Sequence, residues 1–359
     1  MKNSTKFILN IIVIILFISA IFLIVKRSKN KSSPNTNNAT PNQEVLSDKE
    51  IASPKLNPEK TDLYFYDLTD QRLAKLNLKD KQLAFLSTNF DKPNELIWSA
   101  DFNKIILKFD DSKDKIKLAD KEYKNKETDL PTSYYFVAET NLKTVFNLDK
   151  YSIHLDWYND KEVVYQYYNF DSGQYSIAKM DTESRKWQNL LKLNDETEYQ
   201  LDPLTDGKII MTELSSDVAN LKMTLFDPTH GSQKELFSGQ GLQTKKIDND
   251  KLVVSSFIDL NTDSRKIQVF SLSQNKTVLD LENAPRQLVV PFADNSFLQT
   301  KRDGSGKCDL IIQVKTDGSK KDLLISDQNN CWQIDWFDYL KNDNSLLILS
   351  NKKIHKIKL

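Results

Sequence analysis

Three histidines, His154, His230 and His355, and two cysteines, Cys308 and Cys331, are the residues of this 359-residue chain best suited to metal binding or nucleophilic catalysis. The histidines stand singly, with no H-x-x-x-H pair, and the cysteines form no C-x-x-C, so no zinc site is expected. There is no G-x-S-x-G elbow to expose a serine nucleophile and no S-x-D-x-G-x-T-W box. Carboxylates number 50, and a glycosidase needs only two across a cleft, so that chemistry stays open. The acid clusters around Asp248 and Asp250, and around Asp110, Asp111 and Asp114, lack EF-hand spacing and read as solvated turns. Neither a metal nor a cofactor is expected.

Charge and glycine narrow the classes further. Lys and Arg total 50, which balances the acids, so no basic surplus exists to neutralise a run of phosphates; a nucleic-acid partner is not expected. The balance hides two unlike parts. Residues 1–61 carry nine basic and four acidic side chains, which leaves 41 and 46 in residues 62–359, a net of −5. Glycine occurs only 8 times, about 2% against the roughly 7% of average proteins. Gly-rich loops that cradle phosphates are therefore not expected.

Residues 7–25 are apolar except for Asn10 and Ser19. As a helix rising about 1.5 Å per residue, this stretch is roughly 28 Å long, enough to cross a bilayer. It ends in Lys26 and Arg27 without a small-residue cleavage pattern, so residues 1–26 are read as an uncleaved transmembrane anchor and the chain's membrane partner site. Positive charge is denser after the helix than before it, which by count alone would keep the body in the cytoplasm. Residues 27–61 hold four of the ten prolines, many Ser, Asn and Thr, and no aromatic residue or glycine; they read as a flexible linker.

From residue 62 onward the elements that must position any site are strands. Leu63 to Tyr66, Lys104 to Phe109, Glu162 to Tyr165, Lys208 to Met211, Leu252 to Ser255 and Leu346 to Leu349 are short, rich in β-branched or aromatic residues, and bounded by Asn, Asp, Ser and Lys. A unit recurs in which an Asp precedes an apolar strand, at Asp101, Asp160, Asp206, Asp250, Asp294 and Asp343, spaced 59, 46, 44, 44 and 49 residues apart. That period belongs to four-stranded propeller blades, with the Asp in the turn between strands a and b, where its carboxylate accepts backbone N–H bonds. Six turns predict an all-β, six-bladed β-propeller over residues 62–359. Its last blade is built jointly from Ile334 to Phe337 and Leu346 to Leu349 together with a hairpin at residues 72–87. Seven blades is the alternative, because the two chain ends offer more strands than one blade needs.

Trp98-Ser99-Ala100-Asp101 and Asp206-Gly207-Lys208-Ile209 resemble the TolB-like, WD40-like propeller repeat, whose signature is close to W-S-P-D-G-K before an apolar strand. The other four copies keep only the Asp and the strand. The resemblance implies the fold and leaves function open, since such propellers serve as scaffolds and as enzymes.

Within this frame two features could carry recognition. The run Tyr165-Gln-Tyr-Tyr168-Asn-Phe170 ends strand b of its blade, and Tyr165, Tyr167, Tyr168 and Phe170 could stack on sugars or anchor a partner; packing between blades is the competing role. The charged b–c insertion at residues 110–132 is the other, as a long loop on a rigid scaffold. Cys308, at the start of strand c, and Cys331, in the following d–a connection, lie on the same face, so a Cys308–Cys331 disulfide is expected, with two reduced thiols the alternative. A disulfide belongs to an oxidising compartment and so favours an extracytoplasmic body on a single-pass cell-membrane anchor. The expected function is a non-catalytic scaffold that binds a protein or envelope component. The alternative is an extracytoplasmic hydrolase, for instance glycan-directed, using acids at the channel mouth.

Overall fold

Ile105-Ile106-Leu107, Val163-Val164-Tyr165, Ile209-Ile210-Met211 and Leu346-Leu347-Ile348-Leu349 are buried on consecutive residues, not on alternate ones. A strand reads that way when both of its faces are covered, here by a neighbouring sheet on each side. The computed structural model describes residues 43–110, 115–124, 133–215, 220–259, 264–281, 288–293, 296–324 and 331–359. These form seven four-stranded sheets and one two-stranded hairpin. The fold is an all-β, seven-bladed propeller.

Within each blade strands a to d run antiparallel from the axis outward, and the a strands of blades 1 and 2, 2 and 3, 3 and 4, and 6 and 7 lie in contact. Blade 1 comprises Ile51–Leu56, Asp62–Asp67, Arg72–Asn77 and Leu83–Phe85; blade 2, Glu95–Trp98, Lys104–Asp110, Ser133–Glu139 and Val145–Asn147; blade 3, Ser152–Trp157, Glu162–Asn169, Gln174–Asp181 and Trp187–Lys192. Blade 4 comprises Glu198–Pro203, Ile209–Leu214, Asn220–Asp227 and Ser232–Gln240; blade 5, Gln243–Lys246, Lys251–Asp259, Ser264–Ser271 and Lys276–Leu281; blade 6, Val289–Ala293, Ser296–Arg302, Asp309–Lys315 and Lys320–Leu324. Blade 7 takes Ile334–Leu340, Ser345–Ser350 and Lys353–Lys358 from one end of the chain and Gln43–Val45, its strand d, from the other. Each interface between blades holds an apolar cluster. The one that closes the ring joins Leu347, Leu349 and Ile354 of blade 7 to Ile51, Leu63 and Phe65 of blade 1.

The ring therefore has the seven blades of the alternative count, and the six-blade assignment is corrected. Arg72–Asn77 and Leu83–Phe85 belong to blade 1 and take no part in closing blade 7. Two further strands come from residues 43–56, inside the segment expected to be linker. Gln43, Glu44 and Val45 pair with Ile357, Lys356 and His355, and Ile51–Leu56 is strand a of blade 1. Pro54 sits at a bulge between Ala52 and Lys55, where its missing N–H breaks no ladder bond. The first a–b turn escaped because it is built on Asn57, whose Oδ1 accepts the N–H groups of Thr61 and Asp62 at 2.9 Å each. The expected anchor at residues 1–26 and the Asp294 turn lie outside the described residues.

Scarce glycine has a local counterpart. Each c–d turn of blades 1–6 contains a residue with positive φ: Lys81, Leu142, Arg185, Gly231, Asn275 and Gly318. Only two of these are glycine, so ordinary residues accept the left-handed strain that glycine would avoid.

Antiparallel order places the a–b and c–d turns on one face of the ring, with the b–c turns and d–a connections on the other. In the described part of the b–c insertion of blade 2, Lys115–Leu118 and Lys121–Lys124 form a hairpin. Ile116 and Leu118 are buried against Phe90, across the interface between blades 1 and 2, while Lys115, Lys117 and Lys121 face solvent.

Candidate functional site

The five described turn aspartates do not all act alike. Asp101 accepts the Asn103 N–H at 3.0 Å and the Ser99 hydroxyl at 2.6 Å, and Asp206 accepts the Lys208 N–H at 3.2 Å. In blade 3 the turn is held instead by Asn159, and Asp160 reaches sideways to accept the Asp101 N–H of blade 2 at 3.1 Å. Asp248 holds the blade 5 turn, while Asp250 accepts the Ser273 N–H of the c–d turn at 2.8 Å. Asp343 closes a single 3-10 turn and pairs with Lys356.

Cys308 and Cys331 form a disulfide with their Cα atoms 5.0 Å apart. It lies beside Asp309, which is 2% exposed, receives Arg302 at 3.0 Å and accepts the Ile334 N–H at 2.7 Å. Blade 6 is thereby stapled to the first strand of blade 7.

The aromatic run divides between two interfaces, because neighbouring residues of a strand point to opposite faces. Tyr165 and Tyr167 face blade 2. Tyr168 donates to the Glu196 carbonyl at 2.8 Å, and Phe170 meets its ring at 4.4 Å, on the side toward blade 4. Tyr165 and Tyr167 line a groove of about 870 Å³ between blades 2 and 3, with Phe146, Met180, Arg185 and Trp187. The Arg185 guanidinium lies over the Phe146 ring at 4.9 Å and bridges the two walls. Trp187 is 65% exposed, the largest apolar side chain left open on this interface. Burial pushes the Tyr165 phenol up to about 12, and its hydroxyl makes no hydrogen bond among the described residues. A neutral donor thus faces the groove.

A second constellation was not anticipated. Matching the a–b pairing of every blade puts Lys55, Ile97, Asp156, Asp202, Lys245, Val290 and Asp338 at one register level of the innermost strands. Lys55 and Asp156 each follow a bulge, at Ser53 and His154, where φ is 50° and 52°. Strain of this kind at a bulge re-aims the side chains that follow. Burial raises Asp156 to about 6, opposed by the Trp157 N–H and by Lys246 and Lys55. Burial and then the Asp156 charge raise Asp202 to about 7, opposed by Gln200 and Lys246. Lys55 and Lys245 are exposed by surface area, yet desolvation lowers both pKa values. A side chain in a narrow solvent channel, touched by water but ringed by protein, has both properties. Lys55 donates to the Trp98 carbonyl of blade 2 at 3.1 Å, and Lys246 donates to the Pro203 carbonyl of blade 4. In four of the seven blades the ring position is the residue just before a Trp or Pro, as in Leu155-Asp156-Trp157 and Leu201-Asp202-Pro203.

His154 pairs with Glu198 of blade 4 at 3.0 Å, His230 with Asp227 at 3.0 Å, and His355 packs edge-on against Trp332. Among the described residues no group of three or more His, Cys, Asp or Glu could hold a metal ion.

No protein-family model matches the chain, and no curated protein matches it. Solved structures do. An oligogalacturonate lyase from Vibrio parahaemolyticus is similar at 12% identity with a TM-score of 0.61, over 90% of this chain and 94% of that one. The β-propeller domain of the Trilobed protease from Pyrococcus furiosus, described as having an open velcro topology, matches at 14% identity and a TM-score of 0.52, over 86% and 92%. In the present chain, by contrast, Gln43–Val45 closes the ring. TolB from Acinetobacter baumannii matches at 10% identity over 85% and 78% with a TM-score of 0.40, and carries no argument. At these identities the likeness establishes the propeller fold alone.

Proposed function

We propose that this chain is a non-catalytic binding propeller, held to the membrane by the helix expected at residues 7–25 and carrying its ring outside the cytoplasm. It seats an extended protein segment in the groove between blades 2 and 3. The groove itself carries this reading: about 870 Å³ lined by Phe146, Tyr165, Tyr167, Met180 and Trp187. One wall is Val145–Asn147, the terminal strand of its sheet, and such a strand offers backbone groups to an incoming extended chain. Lining residues run from Ser172 at the b–c turn to Arg185 at the c–d turn, along the eight residues of Gln174–Asp181. At about 3.3 Å per residue that is roughly 26 Å, the reach of a peptide strand. The disulfide suits an oxidising compartment.

Selection of short displayed peptides on the full-length chain tests the proposal. Binders with large apolar residues at alternate positions are expected, weakened about tenfold or more by Tyr167→Ala combined with Trp187→Ala. Binders indifferent to both substitutions would overturn it.

A second reading rests on Asp156 and Asp202. A carboxyl kept protonated near neutrality beside one more readily ionised is an acid–base arrangement suited to glycan hydrolysis. Glycan turnover by the wild type that is lost in both Asp156→Asn and Asp202→Asn would select this reading over binding.

A further inference from the structure

The residue at positive φ in each c–d turn of blades 1–6 is of two kinds. Gly231, Asn275 and Gly318 accept the conformation at little cost. Where an ordinary residue bears the strain, its side chain is engaged: Leu142 is 4% exposed in the core between blades 1 and 2, and Lys81 pairs with Glu44 of blade 7. Arg185, at φ 56°, is the third such residue. Its guanidinium lies over the Phe146 ring but makes no hydrogen bond or ion pair among the described residues.

No acid of its own turn answers this charge. Glu183 turns to Lys104 at 3.5 Å, and Asp181 accepts the Glu183 and Ser184 N–H groups at 3.1 and 2.6 Å. The charged residues lining the groove are Arg185, Lys192 and Asp149. Lys192 ends strand d of blade 3 and Asp149 lies in the d–a connection of blade 2, so these two opposite charges share the end of the groove at the b–c face. Arg185 stands at the other end, in the c–d turn. Residues 62–359 carry a net charge of −5, yet this end of the groove presents an uncompensated cation.

Building on the groove as a peptide seat, we propose that it selects an extended segment by one acidic side chain, whose carboxylate pairs with Arg185 while a neighbouring apolar residue covers Trp187. A guanidinium presents its N–H donors as a planar fork that meets a carboxylate in two parallel bonds. Stacking on Phe146 holds that fork at the edge of the groove. A neutral or basic segment leaves the guanidinium without its counter-charge, so the pair supplies selectivity.

Selection of displayed peptides on the full-length chain, followed by titration of the best binder as a synthetic peptide with both termini blocked, tests the proposal. Blocked termini leave side chains as the only source of a carboxylate. An Asp or Glu is expected at one fixed position. Its replacement by Asn or Gln should weaken binding to the wild type about tenfold, Arg185→Gln should do the same, and the two together should lose little more than either alone. Selection on Arg185→Glu should favour Lys or Arg at that position. Arg185→Gly relieves the positive φ and breaks no polar contact, so it should unfold near the wild-type temperature while binding as weakly as Arg185→Gln. Binders that need Trp187 but carry no acid, or whose acid is indifferent to Arg185, would overturn this inference and leave the groove as a peptide seat. Selection of no binder, or of binders that ignore both Tyr167 and Trp187, would overturn both.

Discussion

Asp156 and Asp202 occupy the same register level on neighbouring innermost strands, and the charge of the first raises the pKa of the second. Both take up protons more readily in the folded chain than an unfolded aspartate, which titrates near 3.8. Their contribution to stability is therefore fully present below about pH 4 and is lost as pH rises through about 6 to 7. Asp70 and Asp206, lowered by Lys49 and Lys208, act in the opposite sense and lose their contribution as pH falls. Urea unfolding of the wild type and Asp202→Asn should show the variant gaining on the wild type from pH 4 to 8, by about 1–3 kcal/mol at the upper end. A gap that does not change with pH would contradict this account of the channel.

Closure of the ring rests on three residues. Gln43–Val45 covers the edge of Lys353–Lys358, and its loss exposes that edge to other chains. Deleting residues 43–45 is expected to lower stability by about 1–3 kcal/mol and to promote self-association, read by denaturant unfolding and size-exclusion chromatography. A chain beginning at residue 62 also lacks Ile51 and Leu56 from the closing core, and should show no cooperative unfolding transition.

The Cys308–Cys331 bridge encloses a sequence separation of 23 residues, for which loop entropy gives about 3 kcal/mol. Replacing both cysteines with serine should cost that much in urea unfolding. A loss below about 1 kcal/mol would mean that Arg302, Asp309 and the Ile334 N–H hold blades 6 and 7 without it.

Tyr165 and Trp187 line one groove but differ in burial, 7% against 65% exposed. Tyr165→Ala should cost about 3 kcal/mol of stability through the cavity it leaves. Trp187→Ala should stay within about 0.5 kcal/mol, so that any loss of binding it causes is a surface effect. Paired unfolding curves check both.

The blade repeat was legible wherever an Asp turn preceded a buried strand b, as at Asp101 before Ile105 and Asp206 before Ile209. It was illegible at the N-terminal end for a physical reason. Gln43–Val45 is an exposed strand held by its partner's backbone, and backbone pairing leaves no side-chain pattern. Ile51–Leu56 carries Ser53 and Pro54 at a bulge, which mimics the composition of a linker. Tyr165 and Tyr167 could be picked out as an aromatic run, but their separation from Tyr168 and Phe170 depends on which neighbouring blade each face meets. The channel groups were harder still, since Lys55, Asp156, Asp202 and Lys245 lie far apart in the chain and share only a register level.

Photo-crosslinking in intact cells tests most directly whether the groove is the binding seat. A benzophenone side chain in place of Trp187 in the full-length chain should give a discrete adduct that a selected groove-binding peptide competes away. The same group in place of Lys276, on strand d of blade 5, should give none. Adducts from position 276 and none from position 187 would contradict the account.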